Sequence, residues 1–495
     1  MHASMTSPSV RRWRIIWLVV SLALIAVAWW GVRRQDRGLV GRAFTQEGVP
    51  LRYLAPEGEG TRPGVIVAHG FSGSKQIMLG YAYSLARDGY AVMLLDFAGH
   101  AANSQPLDQA GGGLQAGLDV AYAALTAQPG VDAARIALLG HSMGSGAVMQ
   151  AGIQQPERYA AVVAISPTGA EVSPTLPRNL MLQAGSLEGN FVANAQTLLT
   201  QAGGANLDFA AGRARTFVEI PGVEHITILF SRASQVQALS WLNQVFGRIS
   251  SPPPPDRRMV WYGLHLLGWL SLALAAAPWL RQPAATSPAR PVVAWRLWVG
   301  LAAAPIVATG GLALLNALLP LENFLGMLVG GALGLWLVIF GGVWLAVGGI
   351  RPNLPAPRPL LIGLALFALL WLAVGWMAQA TWLQWFLIPA RLLRWPLLAL
   401  ACLPWKLAAG YGQHHASARA RFAWWLGQSL FLVAGLVATA LIVPGMFVLI
   451  LIAPAVPVML AFESVAGAAA DDPWAYGLGA ALFFGWLTAA LFPLV

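Results

Sequence analysis

Long apolar runs constrain this chain more than any other feature of its sequence. Beyond Met259 each run is roughly 17–27 residues long, which is the length that crosses the hydrocarbon core of a bilayer. Gly and Pro inside such runs are tolerated in membrane helices. Residues 259–495 are therefore predicted to form an all-α transmembrane helical bundle of about seven or eight helices. The runs lie near residues 259–280, 297–319, 324–350, 359–379, 382–405, 423–443, 445–462 and 474–494.

A further apolar run, residues 15–32, follows three arginines at positions 11, 12 and 14. A cleaved signal peptide is the alternative interpretation, but its apolar core should be shorter and a small-x-small site should follow it. Two tryptophans and then two arginines follow instead, which is typical of an interfacial belt. The run is predicted to be an uncleaved transmembrane anchor, with residues 1–14 as a cytoplasmic N-terminus.

The charge of the chain is distributed in a way that argues for a membrane rather than a nucleic acid. Hydrophobic residues make up 57% of the sequence and charged residues 10%, whereas soluble domains are about a quarter charged. The net charge is +10, yet residues 39–250 carry twelve Lys or Arg against fourteen Asp or Glu. The basic excess lies beside the apolar runs, where it marks the faces of a membrane. No nucleic-acid partner is expected, and the lone Cys402 forms no internal disulfide.

The basic residues of the short connections predict the orientation in the membrane. If the N-terminus is cytoplasmic, most of these connections are cytoplasmic and the one at residues 321–323 lies outside. Residues 39–248 then lie outside the cytoplasm, on the periplasmic side of an inner membrane. Whether Pro444 and Gly445 turn a hairpin or kink one long helix stays open, as does a partly interfacial position for Arg391 and Arg394. The basic residues placed inside are Arg281, Arg290, Arg296, Arg351, Arg358, Lys406, Arg419 and Arg421.

Residues 39–248 have the pattern of one globular α/β domain. Short apolar runs predict strands buried on both faces, and segments of helical length separate them. This alternation indicates a mostly parallel, doubly wound sheet with right-handed crossovers. Residues 249–258, with four consecutive prolines, are predicted to be a stiff extended linker. The predicted strands are 65–68, 91–95, 135–139, 161–165 and 180–183, and the predicted helices 77–87, 114–126 and 143–154.

One motif in this domain carries chemistry, the G-x-S-x-G sequence at residues 140–144. A serine at a sharp strand-to-helix turn is held in strained geometry with its Oγ exposed, and the flanking glycines remove side chains that would clash. The pattern alone is weak because the chain has 53 glycines. Its context strengthens it, since a predicted strand leads into Gly140 and a predicted helix follows Gly144. Ser142 is therefore a candidate nucleophile.

With this motif, residues 39–248 resemble the α/β-hydrolase superfamily, in particular its dienelactone-hydrolase-like and serine esterase or peptidase branches. Five landmarks occur in the order that the family shows, and together they are specific. The D-x-x-G-x-G-x-S loop departs from the usual pattern, and Glu188 replaces the commoner Asp. The landmarks are the strand and H-G-x turn at 65–71, the loop at 95–104, the elbow at 140–144, the strand and acid at 182–188, and the strand and histidine at 220–225.

The resemblance implies a role for each residue at these landmarks. Ser142 is the nucleophile, His225 accepts and returns its proton, and Glu188 holds the imidazole in one tautomer. The chain order Ser, acid, His is the one that the fold requires. The main-chain N–H groups of Phe71 and Met143 are expected to form the oxyanion hole.

Several residues compete with these assignments. His69 and His141 are expected to be structural, and His100 to be a loop residue. The acid could come from another strand end, and Asp96 is expected to be a structural hydrogen-bond acceptor. No metal site is expected, because His414 and His415 are adjacent and no cysteine cluster exists, and no cofactor is expected either. The rival acids are Asp208, Glu219 and Glu224.

These features predict a membrane-anchored serine hydrolase that cleaves carboxylic esters. Residues 166–178 are too few for a lid domain, so the cleft is expected to be open unless the membrane part covers it. Its expected substrate is a lipid or other ester at the bilayer surface. A serine peptidase of the same fold, a transport or acyl-handling protein with an accessory hydrolase domain, and a non-catalytic binding protein stay open as alternatives.

Overall fold

The computed structural model describes residues 8–108, 112–249, 253–280, 293–470 and 472–495. The chain forms two compact units. The sheet unit comprises Gly31–Val260 together with two short later segments, Ala378–Phe386 and Pro493–Val495. The helical unit comprises Trp261–Met377, Leu387–Phe492 and the described part of Met1–Trp30. The arginines at 281 and 290 that entered the orientation argument, and residues 1–7 and 250–252, lie outside the described residues.

Helix α1 (Pro8–Arg34) precedes an eight-stranded sheet whose order is β1-β2-β4-β3-β5-β6-β7-β8. Strands β3 to β8 pair in parallel, and β1 and β2 are antiparallel. The predicted mostly parallel sheet is confirmed. The strands are β1 Leu39–Gln46, β2 Val49–Pro56, β3 Arg62–Ala68, β4 Ala91–Leu95, β5 Val131–His141, β6 Ala161–Ile165, β7 Leu180–Gly185 and β8 Arg215–Ile220.

Helices cover both faces of this sheet, which explains why its central strands are continuous apolar runs. Every residue of β4, β6 and β7 is buried, because a parallel sheet packs on both sides. Two buried apolar clusters result, one on each face. The helices are α2 Leu79–Arg87, α3 Gly112–Thr126, α4 Met143–Gln154, α5 Gly189–Gln201 and α6 Arg232–Val245.

The antiparallel hairpin of β1 and β2 was not predicted. β1 lies at the edge of the sheet, and most of its residues are exposed. β2 alternates between buried and half-buried positions along its first half. Neither strand is a continuous apolar run, so a search for strands buried on both faces passes over them.

The helical unit and α1 supply long apolar helices. Among the described residues, nine helical segments are long and apolar enough to cross a membrane, which is compatible with a multi-pass membrane protein. The helices after the sheet are α7 Arg258–Leu280, α8 Ala294–Leu318, α9 Gly330–Gly348, α10 Pro357–Leu370, α11 Met377–Thr381, α12 Pro389–Leu392, α13 Trp395–Gln413, α14 Ala418–Ile442, α15 Leu449–Ile452, α16 Val456–Ala470 and α17 Pro473–Leu491.

Two details of this unit concern the limits of its helices, and the second answers a question that the sequence left open. A π-helical stretch, Trp371–Trp376, joins α10 to α11 within one span. Helix α14 ends at Ile442 and α15 begins at Leu449, with Gly445 at φ +80° between them. The Pro-Gly pair therefore separates two helices instead of kinking one.

The structure buries two basic residues, one of which was expected in a connection between helices and one of which was left open. Lys406 was assigned to a cytoplasmic connection, but it lies within α13, is fully buried and pairs with Glu463 of α16 at 2.5 Å. Arg391 is 1% exposed and donates from Nη1 to the carbonyl oxygens of Ala489 and Phe492 at 2.6 and 2.7 Å. Both side chains are therefore buried, and each has partners for its charge or its donors inside the helical unit.

The described part of the proline-rich linker lies against the sheet unit and is not a free spacer. Pro253–Pro255 line a narrow crevice with residues of α2 and α6. Arg258 follows and is 2% exposed, with its guanidinium 4.0 Å from the centre of the Tyr83 ring. Asp256 accepts a charged hydrogen bond from Arg258 at 2.5 Å.

Candidate active site

Ser142 lies in the sharp turn between β5 and α4. Its backbone has φ 53° and ψ −122°, a region that residues with a side chain rarely adopt. The turn is held from outside, since the N–H of Ser142 donates to the carbonyl oxygen of Ile165 on β6 at 2.9 Å. A strained serine in this position directs its Oγ out of the turn.

The glycines of the motif allow this turn to form. A Cβ on Gly140 would overlap the carbonyl oxygen of Gly144, and a Cβ on Gly144 would lie 2.5 Å from the carbonyl oxygen of His69. Gly70, in the turn after β3, is also constrained, because its Cβ would lie 2.9 Å from that of Ser142. Three close approaches, two of them to backbone oxygens, therefore meet around Ser142, and each of them needs glycine.

His225 lies in the loop after β8, within hydrogen-bond distance of both other predicted partners. Its Nε2 is 3.1 Å from Ser142 Oγ, and its Nδ1 is 2.8 Å from Glu188 Oε2. A carboxylate only accepts hydrogen bonds, so Nδ1 carries the proton and Nε2 presents its lone pair to the serine hydroxyl. The structure thus brings Ser142, His225 and Glu188 together, from positions far apart in the chain.

Glu188 is fixed by further hydrogen bonds after strand β7. Its Oε1 accepts from Ser166 Oγ at 2.7 Å and from the N–H of Gly185 at 2.6 Å. Its side chain is buried, so three donors around two oxygens are strong restraints on its orientation. Ser166 was not predicted, although its position just after β6 was a signal, because the carboxyl ends of parallel strands meet at one edge of the sheet.

Two aromatic neighbours hold the imidazole of His225. The ring of Phe191, on α5, stacks on it with 4.4 Å between ring centroids. His141 lies on another side and bonds through Nε2 to the main-chain oxygen of His225 at 2.9 Å. Burial lowers the pKa of His141 well below its usual value, so the ring is neutral and donates from Nε2. This contact agrees with the structural role expected for His141.

The two expected oxyanion donors flank Ser142. Met143 is the first residue of α4, so its N–H belongs to the first turn, whose N–H groups have no intrahelical acceptor. Phe71 follows Gly70, whose approach to Ser142 is described above, and its ring packs edge-on against His100 at 5.7 Å. Both N–H groups therefore belong to turns that adjoin the serine.

The remaining histidines and Asp96 build the turn after β3. His69 accepts the N–H of Phe97 at Nε2, 3.1 Å away, and donates from Nδ1 to the carbonyl oxygen of Gly70 at 2.7 Å. Burial lowers the pKa of His69, in agreement with a neutral ring. Asp96 accepts the N–H of Lys75 at 2.7 Å and also pairs with its ammonium group. Lys75 was not identified from the sequence.

The rival acids lie elsewhere in the sheet unit. Asp208 pairs with Arg213 at 2.7 Å on the surface. Glu224 accepts the N–H groups of Ile226 and Thr227, at 2.9 and 2.8 Å. Glu219 occupies an exposed position of β8. Glu188 is therefore the acid that contacts His225. Within the described ranges, no group of three or more His, Cys, Asp or Glu side chains is arranged to hold a metal ion.

The match to a protein-family model agrees with this architecture. A family model described as alpha/beta hydrolase fold matches residues 63–284. Among solved structures, a hormone-sensitive lipase from a metagenome library is 18% identical, with a TM-score of 0.34 over 48% of this chain and 98% of that one. A dienelactone hydrolase of Klebsiella pneumoniae is 17% identical, with a TM-score of 0.34 over 42% of this chain and 99% of that one.

Two relatives in sequence each match part of the chain. A component of an acetoin cleaving system of Cupriavidus necator, a dihydrolipoyllysine-residue acetyltransferase, is 34% identical over 123 residues, 25% of this chain and 31% of that protein. An uncharacterized protein of Mycobacterium tuberculosis is 31% identical over 201 residues, which are 37% of this chain and 70% of the relative. With the sheet order and the turn at Ser142, the family model shows that this segment of the chain belongs to the α/β-hydrolase family.

Proposed function

We propose that this protein is a membrane-anchored serine hydrolase that cleaves carboxylic esters through an acyl-enzyme intermediate. The observation that carries the proposal is the continuous hydrogen-bonded chain from Ser142 through His225 to Glu188. A serine next to a base, with that base oriented by a carboxylate, is the arrangement that activates a hydroxyl at neutral pH. A lone buried serine would not explain why Glu188 and Phe191 also hold the imidazole.

In the first half of the reaction, Ser142 Oγ attacks the ester carbonyl carbon while its proton passes to His225 Nε2. The imidazolium that forms is stabilised by Glu188, which does not itself take the proton. The carbonyl oxygen becomes an oxyanion, and the N–H groups of Phe71 and Met143 are the donors that we assign to it. When the tetrahedral intermediate collapses, the alcohol leaves with the proton from His225, and the acyl group stays on Ser142.

In the second half, water takes the place of the alcohol. His225 Nε2 removes a proton from this water, which attacks the acyl carbon and forms a second tetrahedral intermediate. Collapse of that intermediate releases the carboxylic acid and returns the proton to Ser142 Oγ. The same three side chains and the same two N–H groups therefore serve both halves.

We infer that the substrate is a lipid or a lipid-like ester near the membrane. The nine apolar helical segments support a membrane location. Only residues 166–179 connect β6 to β7, a length that leaves no room for a lid domain of the kind that many members of the family insert there. A hydrolase of this fold that is fixed in a membrane meets esters of that membrane at high local concentration.

The charge of the short connections supports an extracytoplasmic position for the sheet unit. Counting spans along the chain, the segments 319–329, 382–388 and 443–448 fall on the side of the sheet unit, and they contain no Lys or Arg. On the opposite side, Arg351 lies in a connection between spans. Arg296, Arg358, Arg419 and Arg421 lie near the helix ends that border that side, as is typical of a cytoplasmic face.

A fluorophosphonate probe tests the nucleophile. We expect the purified full-length protein to form one covalent adduct, which mass spectrometry of its peptides locates at Ser142. Ser142→Ala should lose labelling and ester hydrolysis while its thermal unfolding midpoint stays within a few degrees. Retained turnover in that variant, or an adduct at another residue, would show that the assignment is wrong.

The substrate class is tested with the same preparation in lipid nanodiscs. We expect a higher kcat/KM for long-chain esters that partition into the bilayer than for short soluble esters, and little cleavage of amides of matched structure. Ser142→Ala is the control for spontaneous hydrolysis. Equal kcat/KM for both kinds of ester would contradict the lipid assignment but not the hydrolase, and preferential amide cleavage would indicate a peptidase.

A further inference from the structure

Two linked loops follow the neighbouring strands β3 and β4, and the first of them closely approaches Ser142 at Gly70. The first, here the 69–78 turn, follows β3 and contains Phe71. The second, here the 97–107 loop, follows β4. The hydrogen bonds of His69 and the Lys75–Asp96 pair join these two loops, as described above. Their positions therefore depend on each other, and any contact that fixes one of them also restrains the other.

The 69–78 turn forms a hydrogen bond with the segment Ala378–Phe386. Gln76 Nε2 donates to Gln384 Oε1 at 2.6 Å, and the two side chains are 4% and 9% exposed. Gln384 is itself held, because Gln379 Nε2 donates to the same oxygen at 3.1 Å and Gln384 Nε2 donates to the carbonyl oxygen of Phe386 at 2.9 Å. A buried amide pair in which Gln384 makes three hydrogen bonds is a specific contact and not a chance surface encounter.

Gln379 also orders the backbone of the same segment. Its Oε1 accepts the N–H groups of Trp385 and Phe386, at 2.6 and 3.0 Å. The segment thus folds around its own glutamine and presents Gln384 in one orientation. In the sequence, residues 378–381 of this segment end one apolar span, and the next span begins at Pro389.

The 97–107 loop receives the segment Pro493–Val495. The N–H of Leu494 donates to the carbonyl oxygen of Gly99 at 2.8 Å, and the N–H of Leu107 donates to the carbonyl oxygen of Leu494 at 2.9 Å. Gly99 has φ +73°, and a Cβ there would overlap the Leu494 oxygen. Leu494 therefore lies between two parts of the loop as a short strand would, and Gly99 is needed for the close approach.

We propose that Gln384 and Leu494 are positioning residues for the hydrolase site. Both residues belong to segments that follow the sheet domain by more than a hundred residues. They fix the two loops that place the Phe71 N–H beside Ser142. This inference rests on the proposed function. By this inference, the two segments do part of what a lid insertion between β6 and β7 does in other members of the family. The active site is then complete only in the full chain.

This role makes a specific kinetic prediction. Loops that drift from their position weaken oxyanion stabilisation, which acts in the transition state, so kcat falls while KM changes little. A misplacement of about 1 Å costs on the order of 10²-fold in rate. The His225–Glu188 contact does not involve these loops, so the acidic limb of the pH–rate profile stays where it is in the wild type.

The test uses full-length protein in nanodiscs, a short soluble ester and the rate of fluorophosphonate labelling. Leu494→Pro removes the N–H that bonds Gly99, and we expect kcat and the labelling rate to fall about tenfold or more, with KM within about twofold. The conservative Leu494→Met variant keeps that N–H and a similar volume, and it should restore most of the activity. Thermal unfolding midpoints check that each variant is folded.

A double-mutant cycle provides a second route that does not depend on proline. Gln76→Leu and Gln384→Leu should each lower kcat. Because the pair acts as a unit, the kcat of the double variant should not be lower than that of the less active single variant. Asn206→Ala, an exposed substitution elsewhere in the sheet unit, is the matched control. Additive losses in the cycle, or a shift in KM or in the acidic limb alone, would overturn the inference.

The possible outcomes test the positioning role separately from the proposed serine hydrolase activity. A wild-type protein that neither labels at Ser142 nor hydrolyses esters would overturn both. A wild-type protein that labels, together with Leu494 and Gln384 variants that label at the wild-type rate, would overturn the positioning role and leave the serine hydrolase standing.

Discussion

His141 and His225 are in contact through one hydrogen bond, in which His141 Nε2 donates to the main-chain oxygen of His225 at 2.9 Å. Their rings also lie 4.7 Å apart between centroids. The residue before the nucleophile therefore holds the loop that carries the base. Because His141 is buried and its pKa is lowered well below the usual value, chiefly by desolvation, it makes this contact as a neutral ring.

This relationship predicts how stability depends on pH. The unfolded chain binds a proton at His141 below about pH 6.5, whereas the folded chain does not, so the free energy of unfolding falls as the pH drops below that value. His141→Gln keeps a donor for the His225 oxygen and removes the titration. Between pH 7 and pH 5.5, we expect the free energy of unfolding of the variant to fall by about 1 kcal/mol less than that of the wild type.

Denaturant unfolding of the full-length protein in detergent, at both pH values, measures this difference. His69 also has a lowered pKa, so some pH dependence should stay in the variant. If the free energy of unfolding falls equally in both proteins, His141 does not contribute to the pH dependence of stability.

The glycines around Ser142 give a second prediction. Gly140→Ala places a Cβ on the carbonyl oxygen of Gly144. The Cβ has no rotatable bond that could move it away, and the oxygen belongs to the backbone, so neither atom can move aside. We expect a loss of about 3 kcal/mol in the free energy of unfolding, with no fluorophosphonate labelling. Gly189→Ala is the matched control, because nothing lies within 4 Å of its Cβ and it begins a helix. Equal stabilities of the two variants would contradict the argument.

The sequence predicted the central sheet and the site landmarks because these depend on local patterns. Continuous apolar runs mark strands that are buried on both faces, and a glycine-flanked serine between a strand and a helix marks the turn. The partners that were missed have no local signature. Ser166, Gln384 and Leu494 are ordinary residues in the sequence, and only the fold brings each of them to its partner.

The same reason explains the error at Lys406. A lysine near the end of an apolar run resembles a residue at a membrane face, and Glu463 lies 57 residues away. Pairing across such a distance depends on which helices are neighbours, and the apolar pattern of a membrane helix contains little information about that, since its apolar residues face lipid as well as protein.

Glu188 gives the third prediction. Glu188→Gln replaces an acceptor-only group by an amide that can donate, so the imidazole can turn its Nε2–H toward Ser142 and lose its function as a base. We expect kcat to fall by about 10³–10⁴-fold. Ser166→Ala removes one hydrogen bond to Glu188 and should lower kcat by about fivefold to tenfold, as the loss of about 1 kcal/mol implies.

Steady-state kinetics with a short soluble ester measure both effects. Asp208→Asn is the control, because Asp208 is a surface carboxylate paired with Arg213, and its kcat should stay within about twofold of the wild type. A large loss in that control, together with a small loss in Glu188→Gln, would show that the wrong acid has been assigned.

The Lys406–Glu463 pair gives the last prediction. Both side chains are fully buried, their charged atoms lie 2.5 Å apart, and Lys406 Nζ also lies 3.5 Å from the centre of the Trp405 ring. Removing one partner leaves a buried charge without its counterion, which costs about 3–5 kcal/mol, whereas replacing both by apolar residues is often neutral. Lys406→Met and Glu463→Leu should therefore each lower the thermal unfolding midpoint of the full-length protein, and the double variant should recover it.

If ester hydrolysis also recovers, the pair serves the stability of the helical unit. A stable double variant that loses hydrolysis, while a fluorophosphonate still labels Ser142, would instead assign the buried pair a role in delivering substrate, which is the mark of a helical region with a function beyond anchoring.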